Sequence, residues 1–592
     1  MTYKLKQTRL FKETLAMKAL GLLILSSITG YAWAVDPFQA PNAPNAGSLL
    51  QEIERDYLKP IPKAEPKVAP KKPEEAPKAE QAILVKQFKF QGNHLISEDE
   101  LQAAFKKYVG QKFTVSELQS IVAEISQIYA ARGYVAQGKL PRQDVTDGVI
   151  TIEIIEAKFG GVLFDPEQKK NLQRVSPEVI EKFVSSGQVI GTSINSANLD
   201  RALLITDDLP GIAIQGSLAE GEKDGETQVF IKAEDKPFYM GDVSLDNQGS
   251  RSTGPFRKNA NLSLQSPMGY GDLVSVSGLS TQGSTYGRLA YSLPIGYDGL
   301  RVGANASYMR YELITEETQS TKPRGDSKVV GLDAQYPIIR SQITNLYVNA
   351  AYDLKLFKNE YLGTTGYETS SDYQLQVLSL GLSGNQYDDF MTGGLNSASI
   401  NLGMGKVDLS GSPATHQAND AAGAATAGNY GRFRWNASRH QNIIEDLTLL
   451  MSASGQWASK NLDSSEKFYL GGPTGVRAYP NSEGGGSEGY SLSLELRQRL
   501  PEGFLAAVFY DWGQVKQYAK NIKADGTPMA SLNQFNLSGY GASIAWDGPY
   551  RSTVRAIVAR RIGANPNPTS TGNDQDGSLK QNRFWITGSI PF

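Results

Sequence analysis

The sequence predicts a membrane β-barrel of about 16 antiparallel strands, preceded by two small α/β modules and an amphipathic helix. Three observations carry this. From Lys236 to Phe592, apolar and polar residues alternate in short runs separated by Gly- and Asn-rich turns, which is the period of a half-buried strand. The last run places Phe584, Ile586, Gly588, Ile590 and Phe592 on one face and Arg583, Trp585, Thr587 and Ser589 on the other. Chain ends usually fray, whereas the last strand of a barrel must close onto the first, with an aromatic in the interfacial girdle. At the other end, Lys4, Lys6, Arg9, Lys12 and Lys18 precede a short apolar run, Ala19 to Ile28, and the small-x-small site Ala32-Trp33-Ala34. This reads as a secretory signal peptide over residues 1–34. The run is too short to span a bilayer comfortably.

The segments follow in order. Residues 35–58 open with a Pro/Asn stretch. They continue into a short helix, in which Leu49, Leu50, Ile53, Tyr57 and Leu58 recur at helical spacing. Residues 59–81 are dominated by Lys, Pro, Glu and Ala and read as a semi-extended linker. Residues 82–157 form a compact unit in the order β-α-α-β-β. Its first strand is Ile83–Phe90, and a capping box at Ser97-Glu-Asp-Glu100 opens its first helix. The second helix carries Leu118 to Tyr129, and two strands close the unit near Tyr134–Leu140 and Val149–Ile155. Residues 158–235 read as a structural repeat of that unit, ending in a hairpin of Ile212–Leu218 with Thr227–Ala233.

In the barrel region 236–592, Leu300, Val302, Ala304, Ala306 and Tyr308 share a face against Arg301, Asn305 and Ser307. Leu346, Val348, Ala350, Tyr352 and Leu354 oppose Asn349, Asp353 and Lys355 in the same way. At roughly 10 residues per strand plus loops, about 16 strands fit, and barrels prefer even counts.

Composition narrows the function. Zero cysteines remove disulfides and thiol chemistry. A net charge of −2 predicts no nucleic-acid partner. His94, His416 and His440 are scattered, so no histidine metal centre is expected. Gly484-Gly-Gly-Ser-Glu-Gly489 matches a phosphate-loop pattern by letter, but it neither follows a Rossmann strand nor opens a helix. Arg324-Gly-Asp326 reads as a chance tripeptide in an outer loop. With no nucleophile–His–acid set, neither an enzyme nor a cofactor is expected.

One segment carries a resemblance. Phe468-Tyr-Leu-Gly-Gly-Pro-Thr-Gly-Val-Arg-Ala-Tyr-Pro480 leads into a Gly-rich stretch and resembles the signature of the two-partner secretion transporters. These are the hemolysin and filamentous-adhesin secretion proteins and the contact-dependent inhibition transporters, of the superfamily that includes the barrel-assembly insertase. The resemblance implies that Val476, Arg477, Ala478 and Tyr479 lie on a loop, around 471–489, that folds back into the barrel. Ala478 stands where the superfamily has Gly. The implied partner of Arg477 is Asp511 in Phe509-Tyr-Asp-Trp-Gly513. Phe509, Asp511 and Gly513 share a lumen face, and Gly513 leaves room for the loop. Glu495, on the polar parity against Leu492, Leu494 and Leu496, is expected with Phe509 and Gly513 to support the loop. An Arg in a lumen needs a partner for its donor fork, and a carboxylate accepts two parallel bonds.

Leu245-Asp-Asn-Gln-Gly-Ser-Arg-Ser-Thr-Gly254 is similar to the family's first barrel strand and turn, and Arg132-Gly-Tyr-Val with Leu140–Gly148 to the end of its first POTRA module. The family order is then plug helix (Leu49, Leu50, Ile53, Tyr57), linker, two POTRA modules and barrel. The strand bearing Phe584 and Phe592 looks like the terminal signal read by the barrel-assembly machinery.

The resemblance implies a Gram-negative outer-membrane translocation pore, monomeric, in contact with lipid and lipopolysaccharide. Its POTRA modules would stand in the periplasm, and it would export a large secreted exoprotein unfolded without nucleotide hydrolysis. The client would be a hemolysin, an adhesin or a contact-dependent inhibition toxin. A barrel insertase is the alternative, although resemblance there usually brings more POTRA modules and no plug helix. A passive porin needs no periplasmic modules.

Overall fold

The computed structural model describes residues 44–55, 82–223 and 225–592. The signal peptide, Tyr57 and Leu58 of the expected helix, and the linker 59–81 lie outside the described residues.

The helix α1 is Ala46–Glu54. Asn45 caps it by accepting from Ser48 N–H, and the Ser48 hydroxyl accepts from Asn45 N–H in return, a reciprocal box that satisfies two end donors. The first module holds β1 (Ile83–Leu84), β2 (Gln87–Gln91), α2 (Glu98–Phe105), β3 (Lys112–Phe113), α3 (Val115–Val122), α4 (Glu124–Ala131), β4 (Ala136–Lys139) and β5 (Val149–Glu156). Two expectations are corrected here. The Ser97 side chain makes no cap bond, so α2 is supported at its N-terminus by Glu98, Asp99 and Glu100 acting on the helix dipole. The capping box forms instead at Thr114 and Glu117, opening α3. The expected second helix is two helices, broken at Ala123.

The second module holds β6 (Lys158–Phe164), α5 (Pro166–Asn171), α6 (Pro177–Ser186), α7 (Ser196–Asp207), β7 (Ile212–Glu220) and β8 (Glu226–Asp235). Both sheets share one plan. The first strand pairs in parallel with the last, which sits in the middle and pairs antiparallel with the third (β2-β5-β4 and β6-β8-β7). The structural repeat is therefore present. Each module has its own apolar core, around Phe88, Phe105 and Ile125 in the first and Phe159, Phe183 and Ile231 in the second.

The barrel strands are β9 (Tyr239–Asp246), β10 (Arg257–Gln265), β11 (Leu273–Ser280), β12 (Ser284–Pro294), β13 (Arg301–Glu312), β14 (Arg324–Arg340), β15 (Thr344–Leu362) and β16 (Tyr367–Asp388). After β17 (Gly394–Asp408) come the loop helix α8 (Ala414–Ala422), β18 (Gly428–Ile444) and β19 (Leu447–Ala458). Two short inner strands, β20 (Phe468–Tyr469) and β21 (Gly485–Gly486), precede β22 (Glu488–Arg499), β23 (Phe504–Lys516), β24 (Gln534–Asp547), β25 (Thr553–Arg561) and β26 (Asn582–Pro591). Among the described residues, β9–β19 and β22–β26 close into one sixteen-stranded antiparallel barrel.

On β16, Leu378, Leu380 and Leu382 face outward, so the apolar parity is the lipid face and the polar parity lines the lumen. Strands β14 to β18 run 15 to 22 residues, longer than the roughly 10 expected of a membrane strand. The surplus continues past the apolar band, and Arg324-Gly-Asp326 opens β14 rather than lying in a loop. Seam strands β26 and β9 pair only from Thr587–Asp246 to Pro591–Asp242. Phe592 and Gly241 exchange main-chain hydrogen bonds of 2.9 and 3.0 Å below it. Phe584 and Phe592 are exposed on the lipid face, while Trp585 is buried inward.

The second module is fastened to the end of the barrel opposite the long loops. Arg340 donates to both oxygens of Asp208, at 2.7 and 2.8 Å. Arg201 Nη2 donates to the Pro337 carbonyl at 2.7 Å, and Phe183 meets Tyr297 edge-on.

Helix α1 lies inside the barrel. Ala46, Leu49, Leu50 and Ile53 are buried in one cluster with Met309, Tyr311, Val329, Phe357, Leu375 and Val377. Strands β13 to β16 carry these apolar residues on the lumen parity, so they offer the helix a matching wall. Burying Leu49, Leu50 and Ile53 is worth about 1.5–3 kcal/mol each. Ala46 N–H donates to Asn359 Oδ1 at 3.0 Å.

Candidate functional site: an arginine fork on an in-folded loop

The loop between β19 and β22 spans residues 459–487 and turns inward. This corrects the expected bounds of 471–489: Glu488 and Gly489 already pair with Lys516 and Val515 as part of β22. Strands β20 and β21 pair at the neck of the loop. Val476 N–H donates to the Leu470 carbonyl at 2.7 Å, and Tyr479 N–H to the Val476 carbonyl at 3.1 Å, which curls the tip into a tight turn. Leu470, Val476, Ala478 and Tyr479 pack in one buried cluster with Phe509, Val515, Leu537, Ile557 and Trp585 of the wall.

That packing holds Arg477 against β22 and β23. Its Nε donates to Asp511 Oδ2 and its Nη2 to Asp511 Oδ1, both at 2.8 Å. The Arg477 main-chain N–H adds a third bond to Asp511 Oδ2 at 3.1 Å. Nη1 donates to Glu495 Oε2, and Nη2 also reaches Ser493 Oγ at 3.2 Å. The guanidinium lies 3.3 Å from the ring centroid of Phe509, a cation–π contact. The side chains of Arg477, Glu495 and Asp511 are 6, 4 and 2% exposed. A charge buried this far is tolerable only when every donor is met. Glu495 is therefore a direct partner of Arg477 and not only support for the loop. It also accepts from Arg497 at 2.7 Å and Arg555 at 3.5 Å.

Trp585 was not singled out in the sequence, yet its indole N–H donates to the Arg477 carbonyl at 2.8 Å. Its signal was available: it is an indole on the inward parity of β26, where Phe584 and Ile586 point out. Glu483 was also missed. It is fully buried and accepts from Asn565 at 3.0 Å and from Gln575 N–H at 2.8 Å, which ties the loop to the outer loop 562–581.

Glycines make the floor under the loop. A Cβ on Gly513 would meet Leu470 Cδ2 at 2.5 Å, one on Gly539 would meet the Ala478 methyl at 2.5 Å, and one on Gly541 would meet Phe509 Cζ at 2.5 Å. Ala478 does not occupy the left-handed region; Gly472, Ser482 and Gly484 supply the positive φ angles of the loop. Alanine thus fits where the resemblance leads one to expect glycine, because Gly539 clears the space facing it. Gly539→Ala is expected to lift the tip of the loop from the wall, with the barrel still inserted and heat-modifiable, and to expose Arg477 to trypsin. Unchanged resistance to trypsin in that variant would mean the seating of Ala478 is unimportant.

The family model described as haemolysin secretion/activation protein ShlB/FhaC/HecB matches residues 225–544, more than half of the chain. The chain belongs to this family. A second model, the ShlB-type POTRA domain, matches residues 83–157, the first module. The heme/hemopexin transporter HuxB of Haemophilus influenzae (strain 86-028NP) is 26% identical over 561 residues, covering 92% of this chain and 94% of that protein. The outer membrane transporter CdiB of Dickeya dadantii (strain 3937) is 23% identical, covering 76% of this chain and 78% of its own length. In structure, CdiB from Escherichia coli superposes with a TM-score of 0.65 at 19% identity, covering 89% of this chain and 93% of that one. Within the family the barrel is an outer-membrane transporter with its POTRA modules in the periplasm. The Arg477 fork sits on the in-folded loop of that transporter.

Proposed function

We propose that this transporter exports one large secreted protein. The periplasmic modules capture the client extended, and it crosses the barrel unfolded, without nucleotide hydrolysis and without bond-making chemistry by the barrel. The observation that carries this reading is the filling of the lumen. Two separable elements occupy it: a short helix and a loop pinned by a charged fork. A passive porin gains nothing from either, whereas a pore for occasional polypeptide passage must be shut between clients.

POTRA sheets leave edge strands, β2 and β4 in the first module and β6 and β7 in the second. Edge strands can add an extended peptide by main-chain bonds with little sequence demand. The relatives' names mention heme/hemopexin and hemolysin transport, and a large secreted exoprotein fits this chain as a client. The barrel-assembly machinery would insert the protein, with Phe584 and Phe592 at the recognised end. Lipid and lipopolysaccharide would surround it as a monomer. The insertase alternative rests on the arginine motif; BamA from Haemophilus ducreyi lacking POTRA domains 1–3 superposes with a TM-score of 0.51 at 16% identity, which speaks for the fold alone.

The reading is tested at the helix. Removing residues 35–58 is expected to raise single-channel conductance in planar bilayers several-fold, because α1 occupies lumen cross-section. Unchanged conductance would mean the helix does not block the pore.

A further inference from the structure

The loop has a second charged anchor, on a different wall from the Arg477 fork. Glu466, in the 3₁₀ turn Ser464–Glu466, is fully buried. Its carboxylate is ion-paired with Arg432 of β18, and it accepts from Lys355 Nζ of β15 at 3.0 Å. Its carbonyl accepts from Arg434 Nη2 and Gln456 Nε2, both at 3.0 Å. Three strands therefore hold this one turn against the wall.

Helix α1 rests on that turn. Ser464 Oγ donates to Asn45 Oδ1, the capping oxygen of the helix, at 2.8 Å. Gln51 Nε2 donates to the carbonyl of Lys467, the next residue. The approach is close: a Cβ on Gly47 would stand 2.7 Å from Ser464 Oγ and 3.1 Å from Ser465 N, so adding one pushes the helix and the turn apart or turns the Ser464 hydroxyl away from Asn45. Lys355 is shared, because it also acts electrostatically on Glu54 at the other end of α1. Glu54 in turn accepts from Ser307 Oγ at 3.5 Å.

We propose that Glu466 is a positioning residue for the plug: it fixes the 464–467 turn as a platform, and helix occupancy of the lumen depends on that platform. This rests on the reading of α1 as a plug. Both cations paired with the Glu466 side chain are on the wall, so its effect on the helix passes through the turn. Without it, Arg432 and Lys355 lose a buried counter-charge and the turn loses its side-chain tether. The seat for Asn45, Gly47 and Gln51 is then no longer rigid. Arg477, bonded to β22 and β23, keeps its own partners.

The absence of native cysteine allows a direct test. A Leu50→Cys probe on the buried face of α1 reacts with a maleimide only when the helix leaves its seat. Combined with Glu466→Gln, in a barrel shown to be inserted and heat-modifiable, it is expected to label at least tenfold faster than alone. Gly47→Ala serves as a second variant that touches no charge. Alanine is the better helix former, so a faster-labelling Gly47→Ala protein reports lost seating and not a weaker helix. An inserted Glu466→Gln protein that labels no faster than Leu50→Cys alone would overturn the proposal. Should Glu466→Gln fail to insert, the Gly47→Ala rate tests the platform on which the proposal depends, and a rate equal to that of Leu50→Cys alone overturns it. Labelling reads docking whether or not the helix blocks current. Conductance of the chain lacking 35–58 reads the plug, so the two readings fail separately.

Discussion

Arg477→Ala is expected to reduce secretion to a few per cent or less of normal, measured as client in the medium, while the barrel remains inserted and heat-modifiable. Removing the guanidinium leaves Asp511 and Glu495 buried with fewer donors. Breaking one side of a buried pair commonly costs about 3–5 kcal/mol. Water at both ends of the lumen trims this toward the lower figure, which still shifts a loop's population by about a hundredfold. Asp511→Ala is expected to be milder, because Glu495 still accepts from Nη1 and Phe509 still stacks on the guanidinium. The double variant should be no worse than Arg477→Ala alone. Strictly additive defects for Arg477 and Asp511 would show that the two do not act as a unit.

The second large effect lies in the periplasm. Deletion of residues 82–157 is expected to abolish secretion without preventing barrel insertion. The excised module has its own core around Phe88, Phe105 and Ile125, and the bonds to the barrel mouth come from Arg201 and Asp208 of the second module. The remaining chain therefore keeps its seat on the barrel while losing the strand edges β2 and β4. Secretion at normal levels by the deleted protein would place client recognition elsewhere.

Much of this was legible in the sequence, for identifiable reasons. Alternation along Leu346–Lys355 revealed a strand because the lumen is polar and the bilayer is not, so each side of the wall selects its own residues. Arg477 and Asp511 came from a resemblance, and parity put Asp511 inward. Parity says nothing of distance across strands, however. Glu495 reaches Arg477 because register sets Ser493 against Asp511 and Glu495 against Phe509, and register is a property of the paired sheet. Glu466 and Glu483 read as ordinary loop carboxylates because nothing local shows that the loop is buried. The Ser97 box failed for a related reason: the letters permit the side-chain bond but do not compel it, and the acidic first turn of α2 suffices.

The narrow seam between β26 and β9 has a consequence for how the barrel is built. Its partners, such as Ser589 and Ser244, are separated by most of the barrel's sequence. Every other barrel pairing joins strands that follow one another along the chain, β19 and β22 being separated only by the in-folded loop. Contacts of such long separation form late, because the entropy of closing the loop is lost before any bond repays it. Until they form, two unsatisfied strand edges face hydrocarbon, where each unpaired N–H or C=O costs several kcal/mol. Ring closure is therefore the step at which an unassisted nascent chain is most exposed to aggregation. The paired main-chain bonds of Phe592 and Gly241, with the phenyl ring over a glycine that has no side chain to obstruct it, act as the clasp that makes closure hard to reverse.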